Sequence, residues 1–184
     1  MNIASVRMVQ DQLFRLFPAE GVGSGVIIDE RCHVLTNNHV VEEAQRLKIT
    51  LTDGRIFNGR VKGTDGATDL AVVKLASTET LPFATLGNSD NLKIGQIVIA
   101  IGNPYGLTGG PTVTAGIVSS LNRKIQFDKG ILELIQTAAI NPIQFIKLVH
   151  IVIIFVIFIV IIHENLRLSE YCKYNIMRYY TGGE

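Results

Sequence analysis

Short runs of apolar residues, broken by glycine, asparagine, aspartate and proline, fill residues 21–142. Gly21-Val22-Gly23-Ser24-Gly25-Val26-Ile27-Ile28 reads as glycine punctuation followed by a buried strand. Asp29-Glu30-Arg31-Cys32 is a turn, His33-Val34-Leu35-Thr36 a second strand, and Val40 to Gln45 one helical turn. Leu47-Lys48-Ile49-Thr50-Leu51 alternates with the period of a half-buried strand. Asp53-Gly54 is a hairpin signal, because such a turn needs positive φ, and Arg55 to Lys62 is the return strand. Further strands are predicted over Asp69 to Leu75, Pro82 to Leu86, Gly95 to Gly102, Thr112 to Ser120 and Ile131 to Thr137. Asn103-Pro104-Tyr105-Gly106 ends one of them in a turn. Many short strands with turns between them indicate a closed barrel or a sandwich, and no long amphipathic helix precedes residue 142.

The two ends differ from this middle. Met1 to Pro18 lacks the basic start, apolar core and small-residue cleavage site of a secretory signal. Arg15 interrupts Leu13, Phe14, Leu16 and Phe17, so residues 1–20 read as a lead-in arm or short amphipathic helix. Residues 143–162 hold seventeen Ile, Val, Leu or Phe, interrupted by Gln144, Lys147 and His150. A bilayer-spanning helix needs about 20 such residues. At roughly −0.3 to −0.6 kcal/mol for each apolar residue, the run outweighs a lysine that costs about 3 kcal/mol at mid-bilayer and less near an end. A transmembrane helix is therefore expected over 143–162, with a polar tail over 163–184. A misplaced core strand is the alternative, since Ile and Val favour β structure. Basic residues flank the run on both sides, so orientation stays open. The Ile, Phe, Tyr, Asn and Lys content of the tail also fits translation of AT-rich non-coding sequence through a frameshift or retained intron.

Hydrophobic residues make up 47% of the chain and charged residues 18%, enough for a core. A formal net charge of +1 argues against a broad nucleic-acid footprint. Cys32 and Cys172 lie in segments of different character and form neither a disulfide framework nor a metal site. His150 and His163 carry no metal-ligand spacing.

Two segments carry candidate chemistry. Thr36-Asn37-Asn38-His39-Val40-Val41 ends a strand and presents a histidine on a loop. Thirty positions on, Thr68-Asp69-Leu70-Ala71-Val72-Val73 places a carboxylate at the mouth of a buried strand. A serine hydroxyl needs a neutral imidazole to take its proton and a carboxylate to hold that imidazole in the right tautomer. Alone, a histidine at a strand end is more often a surface or satisfied histidine, and an aspartate before a strand a turn or cap residue; only the pair in its flanks is informative. Gly21-Val22-Gly23-Ser24-Gly25 is not a phosphate loop, because a strand follows it and no Gly-Lys-Ser/Thr does.

From Gly21 to Pro142 the chain resembles the HtrA (Deg) family of trypsin-like serine proteases. The resemblance rests on the two segments above and on Gly23-Ser24-Gly25-Val26-Ile27-Ile28, Leu86-Gly87-Asn88-Ser89-Asp90, Ala100-Ile101-Gly102-Asn103-Pro104-Tyr105-Gly106, Thr112-Val113-Thr114-Ala115-Gly116-Ile117-Val118-Ser119, Ile135-Gln136-Thr137 and Ala138-Ala139-Ile140-Asn141-Pro142. It implies a mainly β, chymotrypsin-like double barrel, with the first barrel complete and the second incomplete. His39 would be the general base and Asp69 its orienter, and the order base, acid, nucleophile suits that fold. It implies no metal or cofactor. Its partners would be unfolded or misfolded polypeptides, and an aromatic N-terminal arm, here Phe14 and Phe17, would support a homotrimer. Family members are often periplasmic, and a spanning tail would attach this chain to a membrane.

The departures matter as much. The family has an Asp between Thr137 and Ala138, and after Asn-Pro it continues Gly-Asn-Ser-Gly-Gly, the loop of the nucleophile and oxyanion hole. Here Asn141-Pro142 is followed by Ile143-Gln144-Phe145. No nucleophile is assigned: Ser24, Ser89, Ser119 and Ser120 have structural settings without the glycine neighbours of a strained nucleophile turn. Cys32 stands where the family has a turn glycine. The expectation is a copy truncated before its catalytic serine and inactive as a peptidase. A membrane-anchored pseudoprotease that binds unfolded chains without cutting, and an unstable product whose unpaired strand edges aggregate, are the alternatives.

Overall fold

Ten strands and little helix follow from that punctuation; the computed structural model describes residues 1–11, 13–103, 110–127 and 130–138. In chain order the strands are β1 (Asn2–Gln10), β2 (Leu16–Ser24), β3 (Val26–Ile27), β4 (His33–Asn37), β5 (Arg46–Thr50), β6 (Ile56–Asp65), β7 (Leu70–Leu75), β8 (Ile97–Gly102), β9 (Thr112–Phe127) and β10 (Gly130–Thr137). One helical turn, α1 (Asn38–Val41), separates β4 from β5, and a 3-10 turn spans Ser89–Asn91. The architecture is mainly β.

The first sheet runs β2-β1-β5-β6-β7-β4-β3. Its two edge strands, β2 and β3, are consecutive in sequence and parted only by Gly25. One stretch of chain thus serves both edges, and the sheet curls round on itself. Gly25 allows the passage: a Cβ there would be driven into Val34 and Ile3. The Thr36 hydroxyl, fully buried, donates to the Ser24 carbonyl at 2.7 Å across the same seam. Ile3, Val34, Ile49, Val73, Leu75 and Leu81 fill the interior. Fully burying one such side chain stabilises by about 1.5–3 kcal/mol.

The lead-in expected as a helix or arm is instead a hairpin. β1 pairs with β2 over residues 2–10 and with β5 over residues 2–6, so its first half lies inside the sheet. The helix expectation fails because an inward polar residue masks the period of two: Ser5 is buried beside Ile3 and faces Gly21 across the hairpin. At the tip, Asp11 Oδ1 accepts from the Leu13 and Arg15 amides, while Leu13 and Phe14 are exposed.

The β5–β6 hairpin turns at Asp53-Gly54, with Gly54 at φ +88°. A hydrogen bond from the Arg55 side chain, aided by its backbone N–H, holds the Asp53 carboxyl below its ordinary range, and Asp53 in turn raises Arg55. Two further expectations shift. The helical turn begins at Asn38 rather than Val40, because Asn37 is still extended (φ −81°, ψ 147°). Pro82 to Leu86 is no strand: Pro82 has no N–H for a ladder, and the Ala84 N–H bonds the Ile27 carbonyl at 2.8 Å.

The second sheet runs β10-β9-β8, with Leu92, Val98, Ala100 and Val118 as its core. Ile97 and Ile117, paired across β8 and β9, are exposed on its other face, as is Val113 further along β9. The Asn103 N–H donates to Ser24 Oγ at 2.7 Å, joining the two sheets. Among the described residues no helix is long and apolar enough to cross a membrane. Pro104 to Gly106, Asn141-Pro142, the expected membrane segment 143–162, the polar tail 163–184 and Cys172 lie outside the described residues.

Candidate active site

The register of β4 against β7 sets Asn37 opposite Leu70, so the end of one strand meets the start of the other. This brings together two residues thirty positions apart. Asp69, just before β7, is left-handed at φ +54°, a conformation that costs a non-glycine residue about 1–2 kcal/mol. Hydrogen bonds hold it there. Its carbonyl accepts from the Asn38 N–H at 2.9 Å, and its Oδ1 accepts from the His39 N–H at 2.9 Å. Its Oδ2 lies 2.7 Å from His39 Nδ1 and 3.0 Å from Asn37 Nδ2.

His39 is carried by α1, and α1 is pinned by packing. Val40 and Val41 are buried, and Val40 lies against the bare backbone of Gly23, where any Cβ would collide with it. The imidazole points the other way and is 47% exposed, against 16% for the Asp69 side chain. In the imidazole tautomer that donates from Nδ1 to this carboxylate, Nε2 presents a lone pair. Among the described residues Nε2 takes part in no hydrogen bond. The chemistry available is proton abstraction by Nε2, with Asp69 fixing the tautomer.

The two residues singled out from sequence therefore sit together. The serines considered as substitutes do not join them. Ser24 is buried and accepts from the Asn103 N–H, Ser89 opens the 3-10 turn, and the Ser119 and Ser120 hydroxyls bond carbonyls of their own strand. Sequence reasoning missed Asn37, whose amide reaches both the Asp69 carboxylate and, at 3.3 Å, its carbonyl oxygen. The pattern offered no signal for this beyond the strand-end position.

A second pair also escaped notice. His33 Nδ1 lies 2.7 Å from Asp29 Oδ2, and the His33 N–H donates to Asp29 Oδ1 at 2.9 Å. Its ring is only 13% exposed.

Comparison with known proteins agrees with this geometry. The pattern of the trypsin-like peptidase domain matches residues 23–143. The chain is 52% identical over 128 residues to the putative serine protease HhoA of Synechocystis sp., covering 66% of this chain and 32% of that one. It is 44% identical over 123 residues to the periplasmic pH-dependent serine endoprotease DegQ of Escherichia coli, covering 66% and 27%. The chain thus spans about a third or less of the length of these relatives. A solved structure of the HtrA-type protease AlgW with a decapeptide superposes with a TM-score of 0.61 at 36% identity, covering 77% of this chain and 48% of that one. A match over most of the described strands, together with the meeting of His39 and Asp69, places the chain in the trypsin-like peptidase family, among its HtrA-type serine proteases.

Proposed function

We propose that residues 21–142 are a chymotrypsin-like protease region, a complete first barrel and part of a second, descended from an endopeptidase of unfolded or damaged proteins. His39 is its general base and Asp69 the carboxylate that orients it. The observation that carries this reading is the 2.7 Å approach of Asp69 Oδ2 to His39 Nδ1 beside an exposed ring. The first sheet supports the first barrel, because one stretch of chain supplies both of its edges. The decapeptide solved with AlgW supports polypeptide as what such a region receives.

This 184-residue chain is inactive as a peptidase on the same reading. After Asn141-Pro142 it carries no Gly-Asn-Ser-Gly-Gly. Loss of the nucleophile alone lowers turnover roughly a million-fold, and the residual rate of such variants comes from the oxyanion hole, which the same loop supplies. Incubation with unfolded casein, with His39→Ala as comparator, tests this. Equal background in both is expected; cleavage that disappears in the variant overturns it.

A second reading, a membrane-anchored binder of unfolded polypeptide or family subunits, is favoured by one observation: the apolar run 143–162. Recovery of the chain in the carbonate-resistant membrane fraction supports it, and wholly soluble recovery argues against it.

A further inference from the structure

Asn37 ends β4 almost wholly buried, and its amide touches Asp69 twice. Nδ2 donates to Oδ2 at 3.0 Å and stands 3.3 Å from the carbonyl oxygen. Oδ2 is the same oxygen that faces His39 Nδ1 at 2.7 Å, while Oδ1 is occupied by the His39 N–H. A carboxylate with donors on both oxygens cannot rotate freely about its Cβ–Cγ bond. The carbonyl contact reaches the backbone of a residue held at φ +54°. One amide therefore restrains both the plane of the carboxylate and the peptide that carries it.

The His33–Asp29 pair explains why such a restraint is needed here. Asp29 precedes His33 by four residues in one turn, so the local chain brings its carboxylate to the ring. Asp69 comes from another strand, thirty residues from its histidine, and needs a donor across the strands.

We propose that Asn37 is a positioning residue for the His39–Asp69 pair, holding the Asp69 carboxylate so that Oδ2 meets the imidazole Nδ1 in a single orientation. The inference rests on reading His39 and Asp69 as an acid–base pair. Proton NMR of the whole chain, labelled with 15N at histidine and asparagine, follows the far-downfield Nδ1–H resonances of both pairs. Asn37→Leu is expected to remove the His39 resonance or move it upfield, and to leave that of His33 in place. Asn37→Ser, which stays polar but reaches less far, is expected to do the same. An unchanged His39 resonance in either folded variant overturns the proposal. The unmodified chain gives an independent measure: the Asn37 side-chain amide protons should exchange with water several-fold more slowly than those of exposed asparagines, and equal exchange also overturns it. Asp69→Asn separates the two ideas. If the His39 resonance survives that change, the acid–base reading itself fails. If it is lost there and kept in the Asn37 variants, only the positioning role fails.

Discussion

Two histidine–aspartate pairs in this molecule share the same contacts and differ in everything around them. In each, one carboxylate oxygen accepts the histidine's own backbone N–H at 2.9 Å and the other lies 2.7 Å from Nδ1. The His33–Asp29 pair closes a four-residue turn, with its ring largely covered. The His39–Asp69 pair joins two strands across the sheet, and nearly half of its ring is open. A short imidazole–carboxylate contact is therefore not a site in itself. What distinguishes the second pair is that packing beneath α1 and an amide from β4 hold it, so its ring is free to face outward.

That contrast is open to direct attack. The largest expected effect comes from the aspartates. Asp69→Ala leaves the buried Asn37 amide and the His39 N–H without their carboxylate, at a cost of about 2–3 kcal/mol, whereas Asp29→Ala in its partly exposed turn costs about 1 kcal/mol. Urea denaturation measures both, and equal losses would erase the distinction. Gly23→Ala comes next. The added methyl meets Val40, and such overpacking costs about 1–2 kcal/mol. It should displace α1 and disturb the His39 pair, while the His33 pair, at the other end of β4, keeps its resonance.

Much of the fold was legible in the chain, and the exceptions have physical causes. Strands β4 to β7 fell where alternation and the Asp53-Gly54 turn put them, because local pattern and tertiary pairing agree there. β1 was hidden because Ser5 faces inward and Ala4 outward, against the usual polarity. Pro82 to Leu86 looked like a strand because its apolar residues are real, yet Phe83 and Leu86 are exposed and Pro82 has no ladder donor. In the site, His39 and Asp69 were visible through their flanks. Asn37 was not, because its role depends on the register of β4 against β7, a tertiary fact. The His33–Asp29 pair lay within a segment that reads simply as a turn.

Smaller effects refine the comparison. Diethyl pyrocarbonate should modify His39 several-fold faster than His33, in line with their ring exposure, as peptide mapping would resolve. Comparable rates would mean that the His39 ring is covered. The smallest effect belongs to a third carboxylate, Asp53, which is exposed and bound by Arg55. Its folded pKa lies below the unfolded value, so its contribution is present above the ordinary carboxylate range and fades as pH falls through the lowered pKa. The stability difference between the wild-type chain and Asp53→Asn, followed by urea midpoint against pH, should shrink toward zero in acid.

The most direct test of a base and its orienter without a nucleophile is covalent. The intact chain is exposed to a fluorophosphonate that phosphonylates activated serines with loss of fluoride, and the adduct is sought by mass spectrometry, with His39→Ala in parallel. No adduct above the level of the variant is expected. A serine phosphonylated in the wild-type chain and spared in His39→Ala would contradict the account.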